Sequence, residues 1–450
     1  MRKKKVGEFV QPKAKEKEEK VVSAKELATE RIEYVKNLLN VGLDYRTLFK
    51  PTWDECEQQV RCNPLADWDD KEDWQTTIYI PLQAKASETA HALLSKALFP
   101  PRPFNIHGRK DIDRQRDDAL MELYDYLLDD GGFALENDFV LLESIDLGTS
   151  FLKFQVTPDR RGIIFTWRSC YHCIVDPTCG QKFDKSRFWI DEYTKDIGDL
   201  IAEVRKPGSF YKKEKVQEML DELIHLAAST TKAKVDMIVV KGIDGTTDLV
   251  LPAEWKEITM HECWAKVPRK IEEKNKNGMI INKYIYEDRV LTLVNEKFLL
   301  RDDENPYGFI PAVPIRIKPR KYDFYAKGFL ENVRGLQDLI NSIVNLGFDS
   351  LKLCSMDIVF LDKTKVANAA SIQYKPKAIW ELRDVQNAVK FTRSGIGNSA
   401  LSEILNGITL VDQIHQDATA ITRHAQGTQP PVPGSKGEET LGEYQLKLQA

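Results

Sequence analysis

Cysteine, long hydrophobic runs and a one-sided charge are what this 450-residue chain has least of. Its seven cysteines are an odd number scattered through a chain large enough to need no covalent staples, which fits a reducing compartment. The longest apolar stretches, Leu147 to Phe154 and Phe309 to Ile317, are interrupted by charge or proline and fall short of the roughly 20 residues that span a bilayer, so no membrane is expected. Met1-Arg-Lys-Lys-Lys5 runs into further charge instead of an apolar segment, which argues against a secretory signal and for synthesis in the cytosol. A net charge of −4 speaks against a general nucleic-acid coat and allows weak or transient contact with DNA. The lysines of residues 1–23 alternate with glutamates and read as a solvated, disordered tail.

Catalytic signatures are equally scarce. Pro433-Gly-Ser-Lys-Gly437 lacks the glycine spacing and the Lys-Ser/Thr ending of a phosphate-binding loop, and Gly395-Ile-Gly397 follows no nucleotide-binding strand. His261-Glu-Cys has no second histidine, and no serine nucleophile elbow occurs. Asp302-Asp-Glu304 could hold a cation, but a turn before Asn305-Pro306 accounts for it more cheaply. The sharpest constellation is Cys170, His172, Cys173 and Cys179, which could supply four zinc ligands to a metal-dependent nucleic-acid enzyme. Alternation along an expected strand at 170–176 instead puts Cys170 and His172 on one face and Cys173 on the other. No knuckle turn is signalled before Asp176-Pro177, so a buried or half-buried strand is the favoured reading. No catalytic residue, metal or cofactor is assigned.

What is present is ordinary globular usage, 42% hydrophobic and 30% charged, in a chain long enough for more than one core. Helices are expected over 24–62, 81–98, 111–129 and 133–146, around a strand-like Thr77-Ile-Tyr-Ile80. From Gly148 the composition turns β-branched and aromatic: a hairpin of 149–156 and 162–167, then segments 170–176, 187–194, 257–267, 279–287 and 289–294, with a helical stretch near 196–228. An α+β body with an antiparallel sheet follows.

The end of the chain carries the strongest pattern. Val333, Leu336, Ile340 and Ile343 recur at helical spacing within an expected helix over 328–351, and Leu401, Ile404, Ile408 and Val411 do so within 398–425. Between them Asp357-Ile-Val-Phe-Leu361 and Ala378-Ile-Trp-Glu-Leu382 read as strands of a small β element. Gln426, Gly427, Thr428, Gln429, Pro430, Pro431, Val432, Pro433 and Gly434 then break the helix, and Ser435-Lys436-Gly-Glu438 restarts one as a capping box.

Several stretches, in order, carry a family resemblance. Ala97-Leu-Phe-Pro-Pro-Arg-Pro-Phe104, Gly148-Thr-Ser-Phe-Leu-Lys153, Val175-Asp-Pro177, Pro314-Ile-Arg-Ile317, and Tyr325-Ala-Lys-Gly328 leading into Leu336-Gln337 and Asn341 resemble the portal, or head-to-tail connector, proteins of short-tailed bacteriophages. Ala326 stands where that family's Tyr-Gly-x-Gly helix start has its first glycine. The resemblance implies an α+β portal fold and a homo-oligomeric ring, usually of twelve subunits, around a channel for double-stranded DNA. It implies a wing over 24–327, helical to about 147 and β-rich beyond. It further implies a first stem helix over 328–351, a clip over 352–397, a second stem helix over 398–425, a tunnel loop over 426–435 with Lys436 beside it, and the start of a wing or crown helix over 436–450. A crown is then expected beyond Ala450. The partners implied are the terminase large subunit, tail adaptor proteins, and the major capsid and scaffolding proteins. The location implied is the portal vertex of the virion, after assembly in the host cytoplasm.

Overall fold

The computed structural model describes residues 24–63, 68, 70–98, 106–108, 114, 116–157, 162–206, 208–230, 237–245, 247–252, 256–274, 280–355, 357–361, 389–393 and 398–421. The chain begins with helices α1 (Ala24–Thr47), α2 (Lys50–Val60), α3 (Leu82–Leu98), α4 (Asp117–Asp130) and α5 (Phe133–Leu147). Strands β1 (Thr149–Val156), β2 (Ile163–Ser169), β3 (Cys173–Val175) and β4 (Phe188–Asp196) follow, then helices α6 (Ile197–Arg205) and α7 (Lys213–Thr230). Next come β5 (Met237–Lys241), β6 (Asp248–Pro252), β7 (Glu257–Lys274), β8 (Ile280–Val294), β9 (Phe298–Glu304) and β10 (Ala312–Arg316). Helix α8 (Arg334–Ser355), strands β11 (Asp357–Leu361) and β12 (Val389–Arg393), and helix α9 (Asn398–Thr419) complete the described chain, a mixture of helix and sheet.

These elements form two compact units, one drawn from Met1–Arg46, Gln155–Gly162 and Tyr171–Ala312, the other from Thr47–Phe154, Ile163–Cys170 and Val313–Ala450. The expected wing over 24–327 is therefore divided, because the helical residues 47–147 build their core with α8 and α9.

The first unit is a five-stranded antiparallel sheet in the order β3-β4-β7-β8-β9, covered on both faces. Side chains alternate across a strand, so Cys263 and Ala265 of β7 face α1 at Val35 and Leu39, whereas Ile258 and Met260 face α6 and α7 at Leu200, Val204 and Leu220. β8 runs unbroken through the site of the break expected at 288, and the turn that ends it falls at Asn295 and Glu296, both with positive φ. Asp302 and Asp303 lie within β9 instead of a turn. Arg289 Nε bonds the Asp302 carboxylate at 2.6 Å, which neutralises the charge a turn would otherwise have exposed to water.

The second unit contains the three-stranded sheet β10-β1-β2 with α5 across it. Pro314, which has no N–H to give a ladder, sits in the edge strand β10. Gly148 ends α5 at φ +92, and a Cβ there would lie 2.4 Å from the Lys327 carbonyl carbon. Gly328 returns the contact, since its Cβ would lie 2.3 Å from the Asp146 carbonyl oxygen. The helix expected from Gly328 therefore starts later, at Arg334. Residues 328–333 spend their backbone on α5, with Phe329 N–H bonding the Ile145 carbonyl at 2.8 Å.

Candidate functional site

The paired helices α8 and α9 and what they bind are the feature the sequence singled out. Two faces of α8 are buried. Ile340 and Val344 pack with Leu82 of α3 and Val411 of α9, with Leu336, Ile343 and Ile408 at the margin. Ile343 lies against Gly407, and Ile404 against Gly347, so contacts advance along one helix as they recede along the other and the pair is antiparallel. At Gly347 a Cβ would come within 2.8 Å of Ile404 Cγ2, and the missing side chain is what lets the axes approach. Of the eight apolar positions expected to pack, Ile340 and Val411 are buried and Leu336, Ile343, Ile404 and Ile408 are partly so. Val333 is buried but precedes the helix, in a turn that packs with Ala86, Ala90 and Leu330, while the side chain of Leu401 lies outside the described residues.

The second buried face of α8 is polar and was missed. Gln337, Asn341, Asn345 and Asp349 recur every four residues, so they stack along one side of the helix. The expected strand at Thr77–Ile80 is extended, but its hydrogen bonds run to these side chains instead of to another strand. Thr76 N–H donates to Asp349 Oδ1 at 2.6 Å, Ile78 N–H to Asn345 Oδ1 at 2.7 Å and Ile80 N–H to Asn341 Oδ1 at 2.9 Å. In return Asn345 Nδ2 donates to the Ile78 carbonyl at 3.1 Å and Gln337 Nε2 to the Ile80 carbonyl at 2.6 Å. Gln337 Oε1 also accepts from Gln83 N–H at 3.0 Å, at the start of α3. Two residues of extended chain advance about 6.6 Å and four residues of helix about 6.0 Å, so a four-residue side-chain period nearly matches a two-residue backbone period. The four-residue spacing of amides was the available signal.

α9 stops at Thr419 instead of near 425. Ala420 takes φ +57, and Thr419 Oγ1 both donates to the His415 carbonyl at 2.7 Å and accepts from Ile421 N–H at 3.3 Å, which spends the polar groups of the last turn on a cap. His415 is fully buried with no hydrogen bond at either ring nitrogen. Burial lowers its pKa, against the pull of Asp412, and keeps it neutral. The outer sides of the pair are apolar yet open: Leu339, Leu346 and Phe348 on α8, and Leu405, Leu410 and Ile414 on α9, are exposed.

Between the two helices β11 has the expected bounds and pairs antiparallel with β12, a strand not foreseen. The other expected strand, 378–382, and the constrained loop of Gln426 to Lys436 lie outside the described residues.

The cysteine and histidine constellation is built differently from the expectation. Cys170, Tyr171 and His172 form a turn, and only Cys173–Val175 is strand. The reason lies in α5, where the buried Glu143 carboxylate accepts from Cys170 N–H at 3.2 Å, Trp167 Nε1 at 2.9 Å, and the hydroxyls of Ser150 and Ser169. Burial raises the Glu143 pKa while these donors pull it back. Downstream, burial opposes ionisation of Asp176, but Arg187 and Thr178 hydrogen-bond it strongly enough to hold its pKa near 2. Its carboxylate caps the turn that carries Cys179. Cys170, Cys173 and Cys179 are buried and form no disulfide, and among the described residues no group of three or more His, Cys, Asp or Glu side chains is placed to hold a metal ion. No helix among them is long and apolar enough to cross a membrane.

Compared with known proteins, the chain matches no family model and no curated sequence.

Proposed function

We propose that this chain is a non-enzymatic subunit of a tailed-bacteriophage portal. In this reading it forms a homo-oligomeric ring with the portal fold at one capsid vertex, through which double-stranded DNA is packaged and ejected. The ring docks the terminase large subunit during packaging and the tail adaptor afterwards. It assembles in the host cytoplasm with the major capsid and scaffolding proteins and ends in the virion. α8 and α9 are then the stem, β11 and β12 part of the clip, and Gln426 to Lys436 the tunnel loop.

The observation that carries the reading is the order antiparallel helix, small antiparallel β pair, helix, with apolar residues left exposed on both helices. An apolar helix face in water is a face awaiting a neighbour, and unlike faces meeting head to tail close rings. A net charge of −4 also suits a channel in which DNA must slide, because each phosphate neutralised by the wall adds affinity and drag.

Electron microscopy of the purified protein tests the proposal. Rings with an axial hole are expected. Monomers at every salt and protein concentration would remove the reading, and assemblies without a hole would favour a structural adaptor.

A further inference from the structure

Helix α4 is unusual. Its 14 residues include Asp117, Asp118, Glu122, Asp125, Asp129 and Asp130, no basic residue, and none that is buried. Two of those carboxylates sit at its C-terminus, where the helix dipole disfavours negative charge. Among the described residues, none of Asp118, Glu122, Asp125, Asp129 and Asp130 is paired with a cation. Short helices owe most of their stability to packing of an apolar face, yet Leu120, Leu123 and Tyr126 of α4 are exposed. The apolar surface continues onto α5, where Leu135 is 62% exposed and Phe139 is open. α5 thus carries apolar residues on its open side as well as its buried one, Leu142 being exposed too.

This acidic and apolar surface adjoins one edge of the sheet β10-β1-β2. Phe165 N–H of β2 bonds the Gly131 carbonyl between α4 and α5 at 3.2 Å, and Phe133 and Phe165 meet edge to face at 5.2 Å. At the opposite edge, β10 runs into a loop of contrary charge. Residues 316–327 hold Arg316, Lys318, Arg320, Lys321 and Lys327 against the single Asp323. Arg320 is neutralised by Glu331 at 2.7 Å. Lys318 and Lys321 are exposed, lie over the rings of Phe329 and Tyr322, and face no carboxylate among the described residues. Tyr322 is itself 79% exposed. Basic groups with an exposed aromatic ring on one edge thus complement carboxylates with exposed aliphatic groups on the other.

We infer that the α4–α5 surface of one copy of this chain receives the Lys318–Tyr322 loop of a second copy. The two surfaces leave opposite edges of one sheet, so they serve neighbours and not each other, and the contact is heterologous and propagates head to tail. The inference rests on the ring reading and names the surfaces that would close the ring. Charge steers the approach, and the aromatic and aliphatic groups supply the area removed from water.

Charge reversal tests it. Asp118→Lys, Glu122→Lys, Asp129→Lys and Asp130→Lys together leave α4 with four lysines against two carboxylates and make both surfaces positive, and Lys318→Glu with Lys321→Glu, Arg320 being held by Glu331, makes both negative. All six positions are exposed, and circular dichroism and melting curves would verify that each variant folds. Each variant alone is expected to associate at least about tenfold more weakly than the original chain at low salt, read by mass photometry. Mixing the two restores assembly with strict alternation, because each loop then finds a surface of opposite sign. Carrying all six changes in one chain restores it as well. Restoration by mixing is something a merely destabilising change cannot produce. Undisturbed assembly of either variant, or failure of the mixture to recover, would overturn this contact and leave the ring reading standing. An original chain that never assembles would sink both.

Discussion

Asp146 shows how a single residue acquires a property that no motif announces. It lies at the end of α5, where burial raises its pKa to about 6 while the Ser87 hydroxyl and His91 pull it down. The folded chain therefore holds this proton more tightly than the unfolded chain, whose ordinary value is 3.8. The stability the group contributes is full below about 3.8 and lost as pH rises through about 6. Asp146→Asn keeps an oxygen for Ser87 and has no proton to lose. It should melt above the original chain at pH 7.5, with the gap narrowing as pH falls through about 6 and closing only below about 3.8. Because the buried His261 and His415, whose pKa values burial lowers, are present alike in both chains, the difference between them reports Asp146 together with the His91 it interacts with. A gap independent of pH would show that Asp146 is ionised without penalty. Nothing in the spacing of Ser87, His91, Glu143 and Asp146 reveals this environment, since α3 and α5 meet only in the folded chain.

At the scale of the element, α8 carries two buried faces of different chemistry. The apolar face, through Ile340 and Ile343, was legible from its spacing. Of the amide face only Gln337 and Asn341 were noticed, as part of the resemblance, because in an isolated helix such residues point to water. Its function depends on residues far away in sequence: the peptide groups of Thr76, Ile78 and Ile80 have no strand to bond and would be stranded without it. Asn345→Ala would leave the Ile78 N–H and carbonyl unpaired and should cost about 2 to 4 kcal/mol in chemical denaturation. Asn345→Asp keeps the acceptor and loses the donor, so it should fall between the two. An alanine effect below about 0.5 kcal/mol would mean that water replaces the ladder without penalty.

At the scale of the whole molecule, the helix pair, the small β element and the loop after them acquire meaning together. In the portal reading, deleting Gln429 to Pro433 should leave rings visible by electron microscopy and lower the yield of packaged DNA by about tenfold or more. The loop would then govern passage and not assembly, since a constriction touches DNA while the subunit contacts lie elsewhere. Subunits that no longer assemble after the deletion would move this segment to a structural role.

The sequence by itself determined the helical or extended character of many segments, though not of β12 or of 170–172, because apolar periodicity and the placement of proline, glycine and aspartate are local properties. The bounds of β11, the antiparallel β body and the two long helices follow from it. Only the tertiary structure decided where α8 begins, why 76–80 is extended without being a strand, and why Cys170 lies in a turn. In each case the deciding atoms are far along the chain: the Ile145 carbonyl, the amides of α8, and the Glu143 carboxylate. A buried peptide or polar side chain must find its partner wherever folding puts one, and sequence neighbours cannot say where that is.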